Sequence, residues 1–460
     1  MKLPLLSLLL VTTTMSAAEK PLVQLQQQFL DLRFGMFIHF NMATYQEREW
    51  GDPKASPQMF NPTGLDTDSW AAAAQSAGMT YGVLTTKHHD GFCIWPTATS
   101  SPSVKGSPFH GDVVRQYVDS FRKRGLRVGL YYSILDLRAS IRPRFVTPEK
   151  LALIKAQLTE LLTNYGPIDL LVFDGWDASW SRLTYNDVPY HEIYALIKKL
   201  QPDCLVSEHN AAKYPGTGLF YSDVRQYEQR AGQKISLDNP IPSESGTTLQ
   251  SAWFWKQSFP QEELRPVEQV VNDWLIPFNR AHCNLILNVA PNRQGKLDPN
   301  VVNRLADIGK VWKPSGPAPR LGRLPLPITT PNLAEGKQAT ASSCLEDGGP
   351  DLVNDGDFAS AWVCDSGQRS CSVELELGRP VRFNTIALVE SRQNGSSSRI
   401  GSYRVERWDG ARWVTTSSGG VPASVQTDRF APVSTERVRL SIAASADRPA
   451  VAEFGIYLEP

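Results

Sequence analysis

The stretch from Tyr81 to Phe92, YGVLTTKHHDGF, passes straight from a short apolar run into a cluster of ionisable residues. Its neighbours repeat the pattern. Arg33 to Phe40 (RFGMFIHF) carries His39 at its end, and Arg127 to Ile134 (RVGLYYSI) ends with Tyr131, Tyr132 and Ser133. Asp169 to Phe173 (DLLVF) runs into Asp174-Gly175-Trp176, and Cys204 to Ser207 and Leu285 to Val289 (LILNV) are further apolar runs. Helical patterns separate them, over 66–77, 112–124, 148–164, 191–200, 267–281 and 301–311. Near-continuous apolar strands alternating with amphipathic helices indicate a parallel sheet covered by helices. Seven or eight such units over about 280 residues suit a (β/α)₈ barrel, which typically takes ~250. No glycine-rich phosphate fingerprint follows the first strand, which argues against a dinucleotide fold. The expected class is therefore α/β, with a (β/α)₈-like domain over residues 19–315.

That pattern stops at Lys313 to Pro331 (KPSGPAPRLGRLPLPITTP), where Pro and Gly break every helical period. Residues 316–331 read as a linker or a wrapping segment. Beyond them come short alternating runs: Ser372 to Leu377, Thr385 to Val389, Ser402 to Arg407 and Arg437 to Ile442. Turn signals such as Asp409-Gly410 separate them, as in an all-β sandwich, here expected over residues 332–460.

Composition narrows the partners. Lys+Arg and Asp+Glu are equal at 47 each, so no global field favours nucleic acid or anionic lipid. A neutral ligand such as a sugar fits that balance, and 12 Trp and 14 Tyr offer flat faces on which sugar rings stack. At the start, Met1-Lys2, the apolar run Leu3 to Val11 and the small residues Ser16-Ala17-Ala18 read as a signal peptide cleaved after Ala18. The apolar run is far shorter than the ~20 residues of a spanning helix. The expected destination is export, to the periplasm or outside. Cys93, Cys204 and Cys283 sit in apolar surroundings and read as buried thiols, while Cys364 and Cys371 can pair across a short turn.

In a barrel of this kind, polar residues at the strand ends face the active site. Those ends carry His39, then Lys87 to Phe92, then Tyr131 to Ser133, then Asp174 to Trp176. Two chemistries fit. His39, His88, His89 and Asp174 are suitable metal ligands. Alternatively, neutral imidazoles hydrogen-bond sugar hydroxyls while two carboxyl groups flank an anomeric carbon. Asp174, at the end of a rigid strand, suits the attacking role. The residues leave the proton donor open among Glu208, Glu228 and Glu244.

The string RFGMFIHF, then Glu49-Trp50-Gly51, KHHDGF, Gly129-Leu130-Tyr131, Phe173-Asp174-Gly175 and Asn284 to Pro291 (NLILNVAP) resembles glycoside hydrolase family 29, the α-L-fucosidases, over roughly residues 28–312. The resemblance implies a retaining double displacement without a catalytic cofactor, acting on terminal fucose of oligosaccharides or glycoconjugates. It implies Asp174 as nucleophile and His39, Glu49, Trp50, His88, His89 and Tyr131 as fucose contacts. Asp223 to Gln229 resembles the family stretch that carries the acid/base glutamate, which points to Glu228. Pro242 to Ser245, with Trp253 downstream, resembles the next landmark, so Glu244 and Trp253 are expected at the pocket. Some relatives carry an Arg shortly before the Trp-Phe pair, where this chain has Gln250-Ser251-Ala252, and aglycone preference stays open there. An inactive barrel that only binds fucosylated glycans is the alternative, against which the retained Asp174 argues.

The C-terminal stretches Asn332 to Lys337, Asn354 to Asp357, Glu374 to Gly378 and Glu453 to Tyr457 resemble a discoidin-like domain, the coagulation factor 5/8 C-type fold shared by carbohydrate-binding modules of family 32. Such domains often hold a structural calcium, for which Asp355, Asp357 and Glu453 offer hard oxygen ligands.

Overall fold

The structure, a computed structural model, describes residues 20–209, 213–214, 218–314, 316–391, 397–423 and 425–460. The expected signal peptide lies outside the described residues. Eight parallel strands close into a barrel: β1 (Phe34–Ile38), β2 (Tyr81–Lys87), β3 (Arg127–Ser133), β4 (Leu170–Asp174), β5 (Leu205–Glu208), β6 (Val224–Glu228), β7 (Ser243–Thr248) and β8 (Cys283–Val289). Closure comes from β8 pairing with β1, Leu285 beside Phe34 and Val289 beside Ile38.

The helices are α1 (Leu22–Leu30), α2 (Met42–Gln46), α3 (Thr67–Ser76), α4 (Val113–Lys123), α5 (Pro148–Asn164), α6 (Tyr190–Leu200), α7 (Ile276–Arg280) and α8 (Pro299–Val311). Side-chain caps fix the starts of α3 and α4. Asp66 accepts the Ser69 amide on α3, and Asp112 accepts the Arg115 amide on α4, each at 2.9 Å. Pro148 and Pro299 open α5 and α8, where a missing N–H costs nothing. The single helix expected over 267–281 is instead a π-helical stretch, Gln269–Leu275, running into α7. Pro277 explains it, since it has no N–H for the carbonyl four residues back.

Helix α1, outside the sequence expectations, plugs the N-terminal mouth of the barrel. Its Leu25, Phe29 and Leu30 pack with Tyr81, Leu170, Leu205 and Val224. Strands β6 and β7 were also not foreseen, because their inward residues are polar. Gln226 accepts from the Ser207 hydroxyl at 3.0 Å, and Glu244 accepts from the Tyr81 phenol at 2.5 Å.

The C-terminal region is an antiparallel sheet folded on itself around its own core of Trp362, Val373, Leu375, Leu440 and Phe454. Its strands are β9 (Gln338–Ala341), β10 (Trp362–Val363), β11 (Ser370–Glu390), β12 (Ile400–Trp408), β13 (Trp413–Gly419), β14 (Val425–Ala444) and β15 (Ala450–Tyr457). They lie in the order β10-β15-β11-β14-β12-β13, with β9 on β11. Two runs read as separate strands, 372–377 and 385–389, are one strand, β11, whose register with β14 slips between Glu376 and Val381. A slip of that kind bends a strand without ending it. Cys364 and Cys371 form a disulfide, and Cys93, Cys204 and Cys283 are buried thiols.

Residues 316–331 wrap the barrel rather than hang free. The Ala318 amide donates to Asp31 at 3.0 Å, the Leu321 amide to Gln27 at 2.9 Å, and the Tyr221 amide to the Ile328 carbonyl at 2.9 Å. Phe358 of the sandwich meets Tyr214 and Phe220 of the segment between β5 and β6 at 5.1 and 5.4 Å. Among the described residues no helix is long and apolar enough to cross a membrane.

Candidate active site

A cavity of about 230 Å³ opens at the C-terminal ends of the barrel strands. That is below the ~300–1,000 Å³ of pockets for drug-sized ligands, a size for one sugar ring. Asp174, His39, His88, His89, Tyr131 and Glu228 all line it, each from the end of a strand or directly after one. Glu49 and Trp50 reach it from the segment after α2, and Trp253 from the segment after β7.

Asp174 is the last residue of β4, and both of its oxygens are held. Oδ1 accepts from the Gly175 amide at 2.6 Å and Oδ2 from the Tyr131 hydroxyl at 2.7 Å. Burial, and then the charge of Asp174, raise the Tyr131 phenol well above its ordinary range, so it stays a donor. Gly175 has φ +69°, and an added Cβ would stand 2.7 Å from the Leu135 Cβ. Gly175→Ala is therefore expected to destabilise the fold by about 2–4 kcal/mol, strain and overlap together. Urea unfolding of the variant checks this; an unchanged midpoint contradicts it.

The imidazoles have defined faces. The single proton of the Ser133 hydroxyl goes to the Leu135 carbonyl at 2.7 Å, so its 2.6 Å contact with His89 Nδ1 has the ring donating. The His89 Nε2 lone pair then faces the pocket, 3.7 Å from Asp174 Oδ2. His39 Nδ1 lies 2.6 Å from Asn288 Oδ1, and the Asn288 amide nitrogen donates to the Trp253 carbonyl at 2.8 Å. That orients the amide so that His39 also donates through Nδ1 and keeps Nε2 as an acceptor. Burial, then the neighbouring imidazoles, push His39 and His88 well below the usual histidine range and His89 to about 3. The three rings are neutral at any physiological pH.

Behind them, Lys87 turns away from the cavity to a fully buried pair with Asp136 at 3.1 Å and to the Tyr132 hydroxyl at 3.0 Å. Gly91, at φ +81°, leaves space that Asp136 occupies. The first and fifth residues of KHHDGF thus build the turn, and the two histidines between them reach the pocket. Glu49 accepts from the Trp253 amide at 3.1 Å, which ties the two loops together, and the Trp253 ring lies 4.9 Å from His39. At the rim, Trp50 and Trp180 are about half exposed and 4.9 Å apart.

The three candidate proton donors separate cleanly. Glu228, at the end of β6, lines the cavity, and burial, with Asp174 adding to it, raises its pKa. Glu244 does not line it. It is the second residue of β7, fully buried toward the N-terminal end of the barrel and bonded to Tyr81, with burial pushing it up to about 7. The expectation of Glu244 at the pocket is corrected accordingly. Glu208 is fully buried, lies outside the lining, and has neither oxygen hydrogen-bonded.

Four lining residues are outside the expected set, Phe37, Ala231, His209 and Trp180, of which His209 and Trp180 carry groups that can contact a ligand through polar atoms. His209 directly follows β5, so the strand-end rule that applies to His39 applies to it as well. Nothing in the sequence separates Trp180 from Trp176, which is buried and donates to the Val188 carbonyl at 3.1 Å. In the sandwich, Asp355 and Asp357 accept from amides of their own exposed turn, Asp357 and Ala359, each at 2.9 Å. Glu453 is buried, with one oxygen on Asn332 at 2.8 Å and the other without a partner. Among the described residues, the three do not form a cluster of donors within 4.8 Å of one another.

Strand-end carboxylates facing neutral imidazoles in a sugar-sized barrel cavity define a glycoside hydrolase. The family model described as alpha-L-fucosidase matches residues 12–316, and that of the F5/8 type C domain matches residues 338–454. The chain belongs to the alpha-L-fucosidase family. Alpha-L-fucosidase 1 of Arabidopsis thaliana is 28% identical over 465 residues, covering 95% of this chain and 87% of that protein. Among solved structures, alpha-L-fucosidase isoenzyme 1 from Paenibacillus thiaminolyticus shares the fold with a TM-score of 0.54 at 23% identity, covering 93% of this chain and 100% of that one. A Ruminococcus gnavus GH29 fucosidase in complex with fucose gives 0.51 at 20% identity, covering 98% and 97%.

Proposed function

We propose that this protein is an exported, exo-acting retaining α-L-fucosidase that removes terminal α-L-fucose from fucosylated glycans. The observation that carries the reading is Asp174, held at a strand end by two donors, facing Glu228 across a cavity sized for one sugar. An Asp174 oxygen attacks the anomeric carbon as the bond to the leaving oxygen breaks, and the Glu228 proton goes to that oxygen. Water then loses a proton to Glu228 and attacks the same carbon, and Asp174 leaves. The lone pairs of His39 and His89 Nε2 accept from fucose hydroxyls, and Tyr131 and the Gly175 amide hold the nucleophile in place. The Trp50–Trp180 rim offers an aromatic face to the leaving sugar.

The test is a panel of an aryl α-L-fucoside and α-1,2-, α-1,3/1,4- and α-1,6-fucosylated oligosaccharides. Release of fucose from any one supports the enzyme; binding without release from all of them favours a glycan-binding barrel. In the same assay Glu244→Gln keeps kcat/KM within about threefold, because a neutral isostere away from the cavity removes no transition-state contact. A loss of a hundredfold would put Glu244 back at the site.

For the sandwich, the unpartnered oxygen of Glu453, a carboxyl that burial raises to about 8, is the point at which a structural calcium would enter. Asp355 and Asp357 would have to turn out of their own turn to join it. Calcium then raises the melting temperature over that in EDTA; equal values mean that Glu453 is simply a protonated buried acid.

A further inference from the structure

We propose that His88, His89 and Asp174 also form a binding site for a borderline divalent cation, zinc above all, which blocks the pocket. One donor atom from each of the three lies within 4.8 Å of the others, the single such group among the described residues. The donor set is two imidazoles and one carboxylate, with cavity space left for water. That combination suits zinc with an open position. Calcium and magnesium want more oxygens than one carboxylate supplies.

The arrangement goes beyond proximity. A metal-ligating imidazole almost always donates its other N–H to a fixed acceptor, which sets the tautomer. His89 does so through Nδ1 to Ser133 at 2.6 Å, with the Ser133 proton committed to the Leu135 carbonyl. Its Nε2 lone pair therefore points at Asp174 Oδ2 from 3.7 Å. Two ligands ~2.0–2.1 Å from a tetrahedral zinc lie roughly 3.4 Å apart, so this pair closes by a few tenths of an ångström, while the His88 donor, within 4.8 Å of the other two, moves in by a side-chain adjustment. The carboxylate has its own supports in Tyr131 and the Gly175 amide. His88 contributes an imidazole whose Nδ1 is buried without a partner. Neutral rings need lose no proton to bind.

Zinc here would occupy the carboxylate that the proposed reaction needs, so its action as an inhibitor rests on the reading of Asp174 as nucleophile. The binding itself does not. The experiment is calorimetric titration of the full chain with zinc chloride in a non-coordinating buffer, with and without a saturating iminosugar analogue of fucose. One zinc per chain is expected, displaced by the analogue and removed by EDTA. Ser133→Ala weakens it about 10–100-fold, the usual cost of losing such a supporting partner. His88→Asn abolishes it, with the melting temperature checked for folding. Zinc inhibition of turnover is competitive.

No binding at millimolar zinc overturns the proposal, as does a site that survives both His88→Asn and the analogue. If zinc binds as expected yet Asp174→Ala still turns over, the nucleophile assignment fails and the metal site stands.

Discussion

Asp174→Ala lowers kcat/KM on an aryl α-L-fucoside by about 10⁴–10⁶-fold, the range seen when a nucleophile is lost while the rest of a site survives. The fold should tolerate the change. The side chain is partly exposed, and its removal leaves the Gly175 amide and the Tyr131 hydroxyl facing a cavity that admits water. Azide fits the space left by the carboxylate and attacks the α-fucoside directly, so turnover is rescued with β-fucosyl azide as product. A loss of less than about tenfold would mean that another group attacks.

Glu228→Ala separates the two half-reactions. On oligosaccharides, whose leaving oxygen needs a proton, the loss is about 10²–10⁴-fold. On an aryl fucoside with a good leaving group the first step survives and the second stalls. Azide then meets the fucosyl-enzyme rather than the substrate, and the product is α-fucosyl azide, of opposite configuration to that from Asp174→Ala. The pH profile carries the same assignment. The first step needs Glu228 protonated, and burial with Asp174 nearby raises its pKa. Activity therefore falls as pH rises through that value, on a limb displaced above the ordinary carboxylate range. Glu228→Ala removes this alkaline limb; its persistence would assign it to another group.

The barrel was legible because six of its strands are apolar runs that end in polar residues. The strand-end rule then brought His39, His88, His89, Tyr131 and Asp174 to one mouth from four separate stretches of chain. What escaped has physical causes. VRQYE and SESGTT do not look like strands, since Gln226 and Glu244 spend their polarity inside the barrel on Ser207 and Tyr81. For the same reason Glu244 resembled a pocket residue: a buried carboxyl and a catalytic one look alike in sequence, and only its place near the start of β7 tells them apart. Pro277 broke a helix that periodicity drew as continuous. A bulge carried β11 through Gly378-Arg379-Pro380, which reads as a turn. His209 was visible in principle, and Trp180 was not.

The most direct measurement is covalent trapping with an activated 2-deoxy-2-fluoro-α-L-fucoside, whose fluorine slows the second step more than the first. Intact-mass analysis should show one fluorofucosyl group per chain, with peptide mapping placing it on Asp174 in the stretch Leu170–Asp174. Label on any other carboxylate, or clean turnover with inversion at the anomeric carbon and no trapped species, would contradict the double displacement through Asp174.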